Sequence, residues 1–99
     1  MKVTVKPYLF LQEALGVKEL ALDLPAGTDI YELLKIIRRQ YGLPDRIEAD
    51  YGNITLFEDD QPVALTILID GRNIKQLQGI ATVLHDGSVV ALFPPAAGG

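Results

Sequence analysis

Apolar and polar residues alternate near both ends of the chain, a pattern typical of half-buried strands. In residues 2–10, Val3 and Val5 fall on one face, and polar or aromatic side chains fall on the other. Pro7 interrupts this stretch because it has no N–H to donate to a neighbouring strand. We therefore expect the strand to end or bulge at Pro7, or the missing donor to point away from its neighbours.

A second strand is predicted for residues 19–24, where leucine occupies alternate positions. Between the two strands, residues 11–16 indicate one helical turn that is closed by Gly16. The two strands should form an antiparallel hairpin with a wide connection.

The strongest helical pattern follows residues 25–27. Thr28 or Asp29 can cap the helix, and Glu32 follows Asp29 at the spacing of a capping box. Apolar residues then recur at helical spacing: Ile30, Leu33, Leu34, Ile37 and Tyr41. Charged residues lie away from this stripe: Glu32, Lys35, Arg38 and Arg39. Gly42 and Pro44 supply the stop signal.

Residues 43–63 show no clear period and are rich in carboxylates, including the run Glu58-Asp59-Asp60. Their spacing matches no Ca²⁺-binding loop, and no histidine joins them. We therefore interpret this segment as a solvated loop.

The last third of the chain predicts a hairpin and a final strand. Residues 65–69 are strongly apolar, Asp70-Gly71 favours a turn, and residues 72–74 return as a short strand. A second turn at Asp86-Gly87 precedes the final strand, residues 88–93.

Alternation in the final strand predicts a possible docking face. Val90 and Leu92 would face the helix, which leaves Phe93 on the opposite side. Tyr8 should lie on that side as well. A sheet covered by one helix has one open face, and aromatic residues on such a face are good interface anchors. The alternative is that Phe93 completes the core.

Composition limits the chemistry of the 99-residue chain, which is long enough for one domain. The absence of cysteine excludes disulfides, thiolate metal sites and a cysteine nucleophile. The single histidine, His85, has no partner at a meaningful spacing and is interpreted as a surface residue. Because no phosphate-binding or metal-binding motif appears, we expect no autonomous catalytic site and no metal site, and the chain resembles a substrate for enzymes.

Charge and hydropathy indicate the kind of partner. Thirteen acidic and nine basic residues give a net charge of −4, which argues against nucleic acid and suits a basic protein partner. No apolar run approaches the roughly 20 residues of a membrane span. A cytoplasmic location without membrane contact is the default expectation.

The C-terminal residues after Phe93 are Pro94-Pro95-Ala96-Ala97-Gly98-Gly99. The two prolines stop the preceding strand and begin an extended spacer, and the two glycines leave the terminal carboxylate unhindered. From Pro94 the tail can reach roughly 20 Å. The sequence therefore predicts a domain at residues 1–93 and a flexible reactive tail at residues 94–99. The alternative is an inert, frayed terminus.

This order of elements, ending in a projecting Gly-Gly, resembles the ubiquitin-like β-grasp fold. That α+β fold has a mixed sheet of about four to five strands packed on one main helix. Residues 69–74, 84–90 and 93–99 are similar to the ubiquitin-like sulfur carrier family. This family contains the small subunit of molybdopterin synthase and the thiamine sulfur carrier, and the Phe-Pro-Pro base points to the first of these.

The resemblance implies that an adenylating enzyme uses Mg-ATP to activate the carboxylate of Gly99, which follows Gly98. A sulfur donor protein would then convert Gly99 to a thiocarboxylate, and the large subunit of molybdopterin synthase would use that sulfur to build molybdenum or tungsten cofactor. No permanently bound cofactor is expected. The implied partner contacts are Tyr8, Phe93, Pro94, Pro95, Ala96 and Ala97.

Three alternatives remain open from the sequence. After the sulfur carrier, the next alternative is a ubiquitin-like protein modifier that is joined through Gly99 to lysines of other proteins and shares the adenylation step. A sulfur carrier for another pathway, such as thiamine synthesis, is a further possibility. The last alternative is a β-grasp interaction domain with a non-reactive tail.

Overall fold

A mixed sheet packed against one main helix forms the framework of the computed structural model, which describes residues 1–50 and 52–95. Its helices are α1 (Phe10–Leu15) and α2 (Ile30–Gln40). Its strands are β1 (Lys2–Pro7), β2 (Leu20–Asp23), β3 (Arg46–Ala49), β4 (Gly52–Thr55), β5 (Phe57–Glu58), β6 (Gln61–Pro62), β7 (Thr66–Ile69), β8 (Arg72–Asn73) and β9 (Val89–Phe93). Short 3₁₀ turns lie at Ile74–Gln76 and Gly79–Ala81. The predicted α+β architecture is confirmed.

The main sheet has five strands in the order β2-β1-β9-β7-β8. The first and last strands of the chain, β1 and β9, run parallel at its centre, from the pair Thr4↔Val89 to the pair Pro7↔Leu92. The other neighbours in this sheet are antiparallel. As a result, the end of β9 lies beside the end of β1.

Pro7 ends β1, as predicted, although the strand is shorter than residues 2–10. The N–H groups of Thr4 and Tyr8 donate to the carbonyls of Ser88 and Leu92, both at 3.0 Å. Even-numbered residues of β1 therefore direct their N–H groups toward β9, so the missing donor of Pro7 points toward β2. The pairing of β1 with β2 ends at Val5, before Pro7 would need a donor.

Helix α2 begins as its sequence predicts. The Asp29 carboxylate accepts the Glu32 N–H at 2.9 Å, and the buried apolar stripe comprises Ile30, Leu33, Leu34 and Ile37. The assignment of Tyr41 to this stripe is wrong, because α2 ends at Gln40 and Tyr41 is exposed. Within residues 1–50 and 52–95, α2 is the longer helix, and it lacks the length and apolarity of a membrane span.

The core lies between α2 and one face of the sheet. Val90 and Leu92 of β9 are fully buried there, whereas Val89, Ala91 and Phe93 are only half-buried. The predicted alternation of the final strand is therefore confirmed.

The prediction of a solvated loop at residues 43–63 is wrong. This segment forms two antiparallel hairpins, β3-β4 and β5-β6. Leu43, Leu56 and Phe57 belong to the hydrophobic core, and the Leu56 N–H donates to the Asp45 carbonyl at 2.7 Å. The strands contain only two or four residues, which is too short for a clear period to emerge from a charged segment.

The hairpin β7-β8 turns at Asp70-Gly71, as predicted. Both residues have positive φ, 49° and 83°, the conformation of a type I′ turn. The return strand is shorter than residues 72–74, because Ile74 already begins a 3₁₀ turn.

Candidate functional site at the end of the last strand

Two aromatic rings meet where β1 and β9 end. The rings of Tyr8 and Phe93 are stacked, with centroids 4.4 Å apart and planes 5° from parallel. Both side chains are half-buried. The structure thus confirms that Tyr8 and Phe93 share one face of the sheet. Their role as partner contacts stays a prediction.

The side chains on this face of the central strands are half-buried or exposed, and we call them the open face: Thr4, Lys6, Tyr8, Thr66, Leu68, Val89, Ala91 and Phe93. Ala91 lies between Lys6 of β1 and Leu68 of β7, and Thr66 lies opposite Phe93. The open face therefore has an apolar centre, with one lysine beside it and the aromatic stack at its tail end.

The polypeptide stays against the domain just after the stack. Pro94 is buried and Pro95 is half-buried. Ala96, Ala97, Gly98 and Gly99, the other predicted tail residues, lie outside the described residues. The division into residues 1–93 and 94–99 stays a prediction, as do the roles of the prolines and of the tail.

Leu9 adds an apolar side chain next to Tyr8. Its side chain is largely exposed, and its φ and ψ are 55° and −133°. Sequence reasoning missed this residue because residues 2–10 were predicted as one strand, whereas the chain turns at Leu9. The sequence carries no signal for this turn, since glycine or asparagine is the usual residue at positive φ.

Arg38 of α2 organises part of the carboxylate-rich segment. Its Nη2 lies 2.6 Å from Oδ1 of Asp45, its Nη1 lies 2.8 Å from Oδ1 of Asp60, and its guanidinium lies 4.6 Å from the ring centre of Phe57. The hydrogen bond that Arg38 donates to Asp60 is the main cause of the raised pKa of Arg38, and the same bond lowers the pKa of Asp60. The carboxylates of Asp45 and Asp60 are therefore paired with Arg38.

His85 is exposed, as predicted, and lies just before β9. Its Nε2 is 2.9 Å from Oδ2 of Asp70, and its Nδ1 is 3.0 Å from the carbonyl oxygen of Asp86. The carbonyl of Asp86 and then the carboxylate of Asp70 raise the pKa of His85. Oδ1 of Asp70 accepts the N–H of Val89 at 2.9 Å, so this network joins two turns to the start of β9.

No cluster of three or more histidine, aspartate or glutamate side chains that could hold a metal ion occurs in residues 1–50 and 52–95. In that same part of the chain, the side chain of His85 contacts an aspartate and a backbone carbonyl, and these contacts stabilise the fold. Gly99, the predicted reactive residue, lies outside the described residues, and its role stays a prediction.

Comparison with known proteins places the chain among small ubiquitin-like proteins. A sequence model described as the ThiS family matches residues 9–99. Small archaeal modifier protein 3 of Haloferax volcanii is 29% identical over 101 residues, covering 100% of both chains.

Two solved structures share the β-grasp fold. The small archaeal modifier protein 1 of Methanosarcina acetivorans is 29% identical, with a TM-score of 0.71 over 99% of this chain and 96% of that one. A putative molybdopterin converting factor, subunit 1, from Pyrococcus furiosus is 25% identical, with a TM-score of 0.71 over 97% of this chain and 99% of that one. The family match runs to Gly99 and so includes the tail.

Proposed function

The chain belongs to the ThiS family, and on that basis we propose that it is a sulfur carrier whose terminal Gly99 becomes a thiocarboxylate for the synthesis of molybdopterin. The observation that carries this proposal is the family match over residues 9–99, because it extends through the whole tail. The stacked pair Tyr8–Phe93 supports it, since the pair fixes an exposed apolar surface at the base of that tail.

Activation of the carboxylate is the first chemical requirement. A free C-terminal carboxylate is ionised at neutral pH and repels nucleophiles. In the proposed cycle, a carboxylate oxygen of Gly99 attacks the α-phosphorus of Mg-ATP on an adenylating enzyme, and pyrophosphate leaves. The product is an acyl-adenylate. Mg-ATP belongs to that enzyme, and this chain carries no resident cofactor.

Sulfur enters in the next two steps. The outer sulfur of a persulfide on a donor protein displaces AMP and forms an acyl disulfide. A thiol then attacks the donor-side sulfur, so the S–S bond breaks and the thiocarboxylate leaves with the electron pair. The donor retains a disulfide. All reacting atoms on this chain belong to Gly99, so its other residues act by positioning the tail.

The described residues support this positioning role. Pro94, the residue after Phe93, is buried, so the chain is held against the domain up to this point. Residues 96–99 span at most about 14 Å beyond Pro95. Any enzyme that receives the carboxylate must therefore approach the tail end of the open face. For the acceptor we propose the large subunit of molybdopterin synthase, with the cycle located in the cytoplasm.

The putative molybdopterin converting factor, subunit 1, from Pyrococcus furiosus supports this acceptor, because it is described as one subunit of such a factor and covers nearly the whole chain. A purified large subunit provides the direct assay. Thiocarboxylated protein should convert the cyclic pyranopterin phosphate precursor to molybdopterin, and protein with an ordinary carboxylate should not. If the thiocarboxylated protein does not convert the precursor to molybdopterin, the molybdopterin assignment is wrong, and the carrier would serve another sulfur pathway.

A second candidate function is protein modification through Gly99. The 29% identity over the full length of small archaeal modifier protein 3 favours it. Here the amine of a target lysine, instead of a persulfide, would displace AMP or a later thiol carrier, and an isopeptide bond would form. Both functions use the same adenylation step, and one chain can serve both.

Mass spectrometry of protein from its own cells distinguishes the two functions. The carrier predicts that sulfur replaces one oxygen at the C-terminus. Because the chain contains no cysteine, iodoacetamide should label that sulfur, and a variant without Gly99 supplies the control for labelling elsewhere. Gly-Gly remnants from this chain on lysines of other proteins favour the modifier. Absence of both products would overturn the reactive tail.

A further inference from the structure

Leu9 combines two unusual features next to the base of the tail. It is the most exposed of the large apolar side chains in the described part of the molecule, at 71%, compared with 55% for Val83. It also has positive φ, which is a rare conformation for a leucine. An exposed leucine in a strained backbone has no evident benefit for folding alone.

The backbone around Leu9 explains where the strain lies. The N–H of Leu11 donates to the carbonyl of Tyr8 at 3.1 Å, so Tyr8 to Leu11 form a β-turn. Leu9 occupies its first central position with φ 55° and ψ −133°, which is close to a type II′ turn. Glycine is the favoured residue at that position. Leucine therefore costs stability where glycine would fit.

Neighbouring contacts hold Leu9 in this conformation. On one side, the N–H of Tyr8 is bonded to Leu92 of β9 at 3.0 Å, and its ring stacks on Phe93. On the other side, the N–H of Gln12 donates to the carbonyl of Leu9 at 3.0 Å, and Leu11 is fully buried. The strand before Leu9 and the helix after it thus impose the turn and leave its side chain in solvent. Strain that its surroundings over-determine is a mark of functional positions.

The length of the tail limits which kind of partner can contact the Leu9 side chain. Residues 96–99 reach at most about 14 Å beyond Pro95. Pro95 lies two residues after Phe93, and the ring of Phe93 stacks on Tyr8, the residue before Leu9. An enzyme that acts on the terminal carboxylate must therefore come close to Leu9. Adenylation is common to the sulfur carrier and the modifier, so the activating enzyme is the partner that both functions require.

We propose that Leu9 is a docking residue that inserts into an apolar pocket of the enzyme that adenylates the C-terminus. This proposal rests on the proposed function, and it adds a specificity-determining residue outside the tail. The stacked rings of Tyr8 and Phe93 form a rigid apolar surface beside Leu9. The free energy lost in the strained turn is offset when the leucine is buried in the partner.

Leu9→Gly gives a test in which stability and binding move in opposite directions. Glycine relieves the positive φ and removes the side chain. We expect a higher melting temperature, and a dissociation constant for the activating enzyme that rises by roughly ten-fold or more. Leu9→Ala keeps the strain and should weaken binding without raising the melting temperature. Leu9→Met keeps apolar volume and should retain binding within about three-fold.

Val83→Ala is the matched control, because Val83 is also exposed but pairs with Asp29 beside the start of α2. The dissociation constant of Val83→Ala for the activating enzyme should equal that of wild type. Equal binding of wild type and Leu9→Gly would overturn the docking role. If the Leu9 variants bind the large synthase subunit more weakly but bind the activating enzyme as wild type does, the choice of partner is overturned. Failure of the wild type to be adenylated would instead contradict the proposed function, so the two failures are distinguishable.

Discussion

The ring of Tyr8 stacks on the ring of Phe93, with 4.4 Å between their centroids. Tyr8 follows the first strand and Phe93 ends the last one, so the stack joins the ends of these two strands. Parallel pairing of β1 with β9 makes this meeting possible, because it places the ends of both strands at the same edge of the sheet. The pair therefore forms an apolar surface where the first and last strands end.

Replacement of Phe93 tests whether this surface is an interface. If Phe93 is an anchor, Phe93→Ala should weaken association with the large synthase subunit by about 2 kcal/mol or more. Tyr8→Phe is the matched control, because it keeps the stacked ring and should leave the dissociation constant within about two-fold. Calorimetric titration gives the affinities, and thermal melts must accompany it. An unchanged affinity at an unchanged melting temperature would remove Phe93 from the interface, whereas a large drop in melting temperature would favour the core alternative.

Changes at the C-terminus test where the chemistry occurs. We expect deletion of Gly99, or extension by one residue, to abolish ATP-dependent adenylation, because the carboxylate no longer reaches the nucleotide in the correct position. Pyrophosphate exchange measures the activity. The melting temperature should stay unchanged, since the buried core ends at Pro94 among the described residues. Adenylation of the truncated protein at the wild-type rate would contradict the assignment of Gly99.

Replacement of Arg38 tests the hairpin segment that covers the core. Arg38→Ala removes two carboxylate contacts and the contact with the Phe57 ring, and it should lower the free energy of unfolding by roughly 1 to 2 kcal/mol. Arg38→Lys should recover only part of the loss, because one ammonium cannot reproduce the fork geometry. Urea titration measures both. Exposed Arg39 on the same helix is the control, and equal losses for Arg39→Ala and Arg38→Ala would show that the cluster has no special role.

Local signals predicted α2 and the order of the main strands well. Asp29 and Glu32 indicate the start of the helix, and the alternation of Val90 and Leu92 predicts which face of β9 is buried. These features depend on neighbouring residues, which a sequence displays directly. The parallel pairing of β1 with β9 is not local, so the pattern of neighbouring residues does not display it.

The hairpins at residues 43–63 escaped prediction for a physical reason. Their stability depends on contacts with distant residues: Asp45 and Asp60 bind Arg38, seven and 22 residues away. The charge of the segment suggested solvent exposure, although Leu56 and Phe57 are buried. Leu9 escaped for the related reason that tertiary contacts, rather than its own preference, hold it at positive φ.

The network around His85 should make stability depend on pH. The pKa of His85 is raised in the folded protein, so its contribution is fully present below about pH 6.5, the ordinary histidine value, and is lost as the pH rises through the raised value. His85→Asn should therefore reduce the melting temperature more at acidic pH than at alkaline pH. Parallel melts of wild type and variant across this range measure the difference. A difference that is constant with pH would show that protonation of His85 does not contribute.

A short stretch of chain connects the acidic turn between β5 and β6 to β7. Thr66, the first residue of β7, pairs with Phe93, and the chain from Asp60 to Thr66 spans at most about 20 Å. Charges at this distance contribute to the long-range field that a partner meets, although salt at physiological strength weakens it with a screening length of about 8 Å. Asp60 is already paired with Arg38, which leaves Glu58 and Asp59 as the better candidates for steering.

Neutralising these two residues tests electrostatic steering. If the acidic turn attracts a basic surface around the pocket that receives the tail, Glu58→Gln with Asp59→Asn should lower the association rate and flatten its dependence on salt, with little effect on dissociation. Asparagine suits the positive φ of Asp59, so the turn should persist. Stopped-flow association at several salt concentrations provides the measurement. As a control, Asp60→Asn should lower stability by removing the negative charge that pairs with Arg38. If the double variant keeps the wild-type rate and salt slope, the turn is only a solvated part of the surface and the steering charge lies elsewhere.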